Sequence, residues 1–189
     1  NTVSWAARCN NPASCSAGNL MSVDGGKSSA IASNPSTGAL TYSPVPMTFD
    51  ANGNAPFTFT YADVGQVTLH VTKGTSGSLL SALSGASNAF VVKPSGFAVS
   101  NIKQSASPFL VNPAAAGAGG AKFVKAGESF TATVTAQTSG GAATPNFGKE
   151  SPAEDVLLTP TLTQPAGGKA GALANGTLAL DVTLKAMNI

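Results

Sequence analysis

The sequence predicts an all-β protein of two tandem immunoglobulin-like β-sandwich domains, and three observations carry that prediction. Apolar residues alternate with threonine at a period of two in several short runs, as half-buried strands require. Turn-formers, Gly 21 and Pro 12 in 189 residues, punctuate those runs at short intervals. Much of the 42% hydrophobic content is alanine, 32 residues, sitting at strand and loop positions rather than at helical spacing. Leu, Val, Ile and Phe sum to 40, just above the level of about 20% below which disorder becomes the default. Each core is therefore expected to be modest, and the length suits two units of about 90–100 residues.

Taken in order, Ser29 to Ser33 and Gly38 to Tyr42 read as short strands, and Met47 and Phe49 end another before the turn Asp50-Ala-Asn-Gly-Asn-Ala. Phe57, Phe59 and Tyr61 then alternate with Thr58 and Thr60, and Val67, Leu69 and Val71 with Thr68, His70 and Thr72. These three consecutive strands are expected to pair as a meander. Gly74 to Ser87 reads as one helical turn around Leu79, Leu80 and Leu83, or as a loop docked by those leucines. Ala89 to Lys93 closes a first domain over 1–93, with the boundary at Pro94-Ser-Gly. The second domain, 94–189, holds strands at Phe97 to Ile102, Ala121 to Val124, Phe130 to Ala136, Asp155 to Thr163 and Thr177 to Lys185, and its C-terminus allows for truncation. Pro113 to Gly120 and Gly140 to Pro145 are low-complexity loops.

Charge narrows the function classes. A formal net charge of +2 arises from nine scattered lysines and Arg8, with no basic run, which argues against nucleic acid. No stretch of about 18 apolar residues occurs, so no membrane span is expected. The chain opens at Asn1 without a charged-then-apolar leader and reads as a mature or excised segment.

Cys9 and Cys15 flank Asn-Asn-Pro-Ala-Ser, where an Asn-Pro turn brings them within bridging distance. A disulfide is favoured and would imply export; half of a metal site and two free thiols are the rival readings. Zinc would want two further ligands, and His70 is the single histidine.

Catalytic signatures are absent. His70 occupies an outward strand position with no triad pattern beside it, and no metalloprotease, nucleophile-elbow or phosphate-loop motif occurs. Asp50, Asn52 and Asn54 have the oxygen spacing of a calcium loop, but Ala55 stands where glycine is needed and no acid closes the loop, so a turn accounts for them. Glu150, Glu154 and Asp155 form the acidic cluster, read as solvated and secondarily as a cation site. No cofactor is expected, with calcium as the alternative. Tyr61-x-Asp63-x-Gly65 between two strands resembles the corner of immunoglobulin-like sandwiches, in which a tyrosine hydroxyl caps backbone groups and the glycine takes an unusual conformation. An internal isopeptide bond joining Lys122 or Lys125 to Asn146 with Glu128 is conceivable but not specified by sequence.

The segments Ala-Lys-Phe-Val-Lys-Ala-Gly-Glu-Ser-Phe-Thr-Ala-Thr-Val-Thr-Ala (121–136), Ala-Ala-Thr-Pro-Asn-Phe-Gly-Lys-Glu (142–150) and Leu-Thr-Pro-Thr-Leu (158–162), preceded by Phe-Val-Val-Lys-Pro-Ser-Gly-Phe-Ala-Val (90–99), resemble the MshQ-like proteins of Gram-negative bacteria. That resemblance, strongest over about 90–165, implies a segment of a large surface protein linked to mannose-sensitive haemagglutinin type IV pili. It implies an extracellular or outer-membrane location, and as partners pilus subunits, other domains of the same protein, or a host-surface glycan or protein. It supplies no catalytic or binding residues. A structural or presenting role leads, and the expectation is that the chain is not an enzyme. A carbohydrate-binding module is the alternative, resting on Trp5 and Tyr42 sharing a surface, and invasin-like stalk repeats are a further one because they share the corner. Any contact with a partner is expected through strand edges or the Gly140 to Asp155 loop, with Asn146, Glu150, Glu154 and Asp155 as its polar residues.

Overall fold

A computed structural model describes residues 1–74, 82–115, 117, 119–120 and 121–159. Its eleven strands are numbered β1 to β11 in chain order, and no helix occurs among the described residues. β1 (Thr2–Asn11) and β7 (Gly65–Lys73) lie antiparallel at the centre of the larger sheet, with Trp5 opposite Val71 and Cys9 opposite Val67. Two short strands share the free edge of β1. β5 (Ser43–Pro46) runs antiparallel along Thr2 to Trp5, and β4 (Ala32–Asn34) parallel along Ala6 to Arg8. The free edge of β7 is divided the same way, between β8 (Leu83–Ala86) at His70 to Lys73 and β9 (Phe90–Val92) at Gly65 to Val67. The second sheet has the order β3 (Ser28–Ala30), β2 (Met21–Asp24), β6 (Thr58–Tyr61).

The core lies between these two sheets. Val3, Trp5, Ala7 and Cys9 alternate along β1, Val67 and Leu69 along β7, and Met21 and Val23 along β2, all buried in one cluster with Val45 and Met47. Burial of such side chains stabilises by about 1.5–3 kcal/mol each for the larger ones, which makes β1 a principal contributor.

Several expectations need correction. The strands around Met47, Phe57 to Tyr61 and Val67 to Thr72 do not form a meander: β5 and β7 both pair with β1, whereas β6 pairs with β2. The Tyr61 to Gly65 corner carries the chain from one sheet to the other, so sequence neighbours are not sheet neighbours. Gly38 to Tyr42 is not a strand. The buried Asn34 side chain takes both backbone groups of Thr41, donating from Nδ2 to its carbonyl at 3.1 Å and accepting its amide at 2.7 Å, so no ladder is needed there. Ser29 to Ser33 divides at the buried Ile31 into β3 and β4, which belong to different sheets. Residues 1–18, read mainly for their cysteines, contain the central strand.

Beyond the first sandwich, β10 (Gly96–Gln104) and β11 (Phe130–Gln137) form an antiparallel pair, with Ala132 and Ala136 buried as their alternation predicts. Ala121 to Val124 is not a strand; the Gln104 side chain instead donates to the Phe123 carbonyl at 2.6 Å, and the Phe123 ring packs on Phe130. Asp155 to Thr159 is likewise outside any strand, with Val156 buried. Leu79 and Leu80, the remainder of Asp155 to Thr163, and Thr177 to Lys185 lie outside the described residues. Leu83 is an exposed residue of β8.

Candidate functional site

A hydrogen-bonded polar cluster is built on the corner between β6 and β7. Asp63 is 2% exposed, and its Oδ1 accepts the amides of Val64 at 2.9 Å and Asn146 at 3.0 Å. The first bond closes the corner locally; the second reaches across the molecule to the loop that follows β11. Asn146 is 1% exposed. Its Nδ2 donates to the Tyr61 hydroxyl at 2.9 Å and to the Val64 carbonyl at 3.4 Å, while its Oδ1 accepts the Ser16 hydroxyl at 2.7 Å. A single asparagine therefore joins two segments of the first domain, the corner and the stretch after Cys15.

Local geometry explains why the loop presents Asn146 in this way. The Thr144 amide donates to the Ala136 carbonyl, the Phe147 amide to Thr144 and the Lys149 amide to Asn146, each at 3.0 Å. These bonds wind residues 144–149 into consecutive turns, and Phe147 packs edge-on against Phe97 of β10. The loop is thus fixed to the β10–β11 pair at one end and to the corner at the other.

A second contact lies beside the first. Asn11, at the end of β1, donates from Nδ2 to the Ser151 carbonyl at 3.2 Å and accepts the Ser151 amide on Oδ1 at 2.8 Å. Cys9 and Cys15 are bridged, with their Cα atoms 5.6 Å apart, so Asn11 lies inside the closed loop and Ser16 follows it directly. Gly65 makes room for this loop. Its φ is +133°, and a Cβ there would stand 2.7 Å from the Asn11 carbonyl oxygen and 3.2 Å from Pro12 Cδ.

Electrostatics follow from burial. Desolvation pushes the Asp63 carboxyl above its ordinary 3.8, opposed by the amides of Asn146 and Val64, the Ser16 hydroxyl and the charge of Lys149. Tyr61 is pushed up to about 12 by burial first, then by the charge of Asp63, with Asn146 acting against them and Glu150 adding to the rise. Its hydroxyl stands 3.8 Å from Cys15 Sγ. Asp63 Oδ2, Thr144 Oγ1 and Glu150 Oε2 are buried without a hydrogen-bond partner among the described residues.

This geometry revises parts of the sequence reading. The Tyr61 hydroxyl accepts a side-chain amide rather than capping backbone groups. Asn146, expected on a loop open to partners, is turned inward, and Glu150 is half-buried; Glu154 and Asp155 are exposed. Asn146 is committed to the corner while Lys125 and Glu128 pair in an exposed turn at 3.9 Å, so the isopeptide arrangement is not assembled. Trp5 is 6% exposed and packs on Phe57 with ring centroids 4.7 Å apart, so it forms no sugar platform with Tyr42. Asp50 Oδ1 accepts the amides of Asn54 at 2.8 Å and Asn52 at 2.9 Å, bonds that close a turn and, Asn54 foremost, lower its pKa. His70 is half-buried with Nε2 unpartnered among the described residues, and burial, then Arg8, push it below 6.5. No group of three or more His, Cys, Asp or Glu side chains suited to a metal occurs among the described residues. Sequence reading missed Asn11, Ser16, Thr144 and Ser151, because nothing local marks two loops 130 or more residues apart as partners.

Comparison with known proteins places these two regions in one family. Residues 1–86 match a domain of unknown function (DUF6701), first Ig-like domain, and residues 93–188 match its second domain. No curated protein and no solved structure matches the chain significantly.

Proposed function

Given that the chain belongs to the DUF6701 family and carries its first Ig-like and second domains in tandem, we propose that it is a structural segment of a bacterial surface protein, one that spaces and presents other parts of that protein. The observation that carries this reading is the Asn146 joint. Its side chain is spent on holding two domains together, where an enzyme or a lectin would aim polar groups at a ligand. Composition supports the same class: 10% charged residues, 21 Ser and 19 Thr give small, nearly neutral strand faces suited to an extracellular stalk.

The finer reading is a type IV pilus-associated adhesin of the MshQ class, supported by the resemblance over about 90–165. Its partners are then pilus subunits or other domains of the same chain, at the outer membrane or on the pilus. The Cys9–Cys15 bridge is compatible with export. No helix among the described residues is long and apolar enough to cross a membrane. We read the segment as non-enzymatic.

Two arms test this reading. In the full-length protein, replacing the segment by a flexible linker of equal length is expected to reduce surface attachment, because a flexible chain fills space without fixing orientation. On a glycan array the isolated segment is expected to bind nothing specifically. Specific micromolar sugar binding would promote the carbohydrate-binding module, and unimpaired attachment by the linker variant would end the spacer reading.

A further inference from the structure

We infer that the Cys9–Cys15 disulfide acts as an oxidation-dependent clasp on the joint between the two domains, fixing Asn11 and Ser16 where the loop after β11 engages them. A disulfide that staples an immunoglobulin-like core would join the two sheets; this one closes a six-residue separation at the end of β1. The larger sheet already holds that strand, through β7 from Ser4 to Asn11 and through β4 and β5 on its other edge. Both cysteines pack at the core, yet the strand itself is held without the bridge.

What the bridge does constrain is the pair of residues that meet the second domain. Asn11 lies within the closed loop and holds Ser151 through two hydrogen bonds of 2.8 and 3.2 Å. Ser16, next to Cys15, donates to Asn146 at 2.7 Å. Cys15 Sγ lies 3.8 Å from the Tyr61 hydroxyl, which itself receives the Asn146 amide at 2.9 Å. The loop is seated by Asn10 on Thr68 at 2.8 Å and by the Ser36 amide on the Ala13 carbonyl at 2.8 Å. Neither bond holds the Cys15–Ser16 end; the bridge is the covalent link that brings it back to β1. Closing the loop lowers the entropy the joint must otherwise lose when Asn11 and Ser16 are both ordered.

Opening the clasp is ordinary thiol–disulfide exchange. A dithiol reductant supplies two electrons and two protons to the Cys9–Cys15 bond, leaving two protein thiols and its own disulfide. Closing reverses the step with a protein disulfide as oxidant. The two domains would thus become firmly oriented only in an oxidising compartment. The inference rests on the joint geometry and is independent of adhesion.

Amide hydrogen exchange on the whole chain, oxidised and then reduced with a dithiol, tests it. The Asn146 and Ser151 amides, which donate to Asp63 and Asn11, are expected to exchange at least tenfold faster after reduction, while amides of the β1–β7 ladder keep their protection. The double substitution Cys9→Ala and Cys15→Ala is expected to reproduce the reduced pattern without reductant. Unchanged exchange at Asn146 and Ser151 would overturn the inference. Loss of protection throughout β1 and β7 would also overturn it, because the bridge would then be a staple of the first domain.

Discussion

Asp63 is the residue on which the joint turns. Burial raises its carboxyl above 3.8, so the folded protein holds a proton over a pH window in which the unfolded chain has released it. The contribution to stability is therefore full below 3.8 and is lost as pH rises from there through the raised folded value. Asp63→Asn keeps an oxygen for the Val64 and Asn146 amides and removes the carboxylate charge that burial disfavours. Thermal melts across that window are expected to show this pH dependence in the wild type and its loss in the variant, with the variant at least as stable at neutral pH. A variant less stable at neutral pH would show that the carboxylate is compensated. Gly65→Ala adds a Cβ against the Asn11 carbonyl and places alanine at φ +133°. It is expected to cost about 2 kcal/mol or more in denaturant unfolding, through clash and backbone strain together. Tyr61, raised to about 12, is expected to stay un-ionised in an absorbance titration at 295 nm until the pH nears that value.

At the scale of elements, legibility depended on whether the information was local. The period-two runs of β6, β7, β10 and β11 were readable because threonine alternates with larger apolar residues along them. β1 carries the same period in Val3, Trp5, Ala7 and Cys9, but Ala6 beside Ala7 and the nearby cysteines obscure it. Small residues at the crowded centre of a sheet weaken the very pattern that marks a strand. Strand order was not readable, since Tyr61 to Gly65 looks like a hairpin connection yet crosses between sheets. The corner itself was legible from Tyr61, Asp63 and Gly65. Its partner was not, because Asn146 becomes distinctive only once it is buried against that corner. Trp5→Ala tests the reassignment of Trp5 from surface to core. Loss of a large side chain packed on Phe57 is expected to cost about 3–5 kcal/mol in urea unfolding, whereas a surface tryptophan would cost under about 0.5 kcal/mol.

For the whole molecule, Asn146 ties the first Ig-like domain and the second domain into one oriented unit. Its side chain makes three hydrogen bonds to Tyr61, Val64 and Ser16. At about 1 kcal/mol net for each, the side chain contributes on the order of 3 kcal/mol to keeping the joint closed. That exceeds thermal energy several-fold, enough to hold orientation in a spacer. NMR relaxation of backbone amides in the oxidised protein, compared with Asn146→Ala, measures this directly. A single rotational correlation time shared by β1, β7, β10 and β11 in the wild type, separating into two faster ones in Asn146→Ala, is the predicted result. Two independent correlation times in the wild type, or no change on removing Asn146, would contradict it.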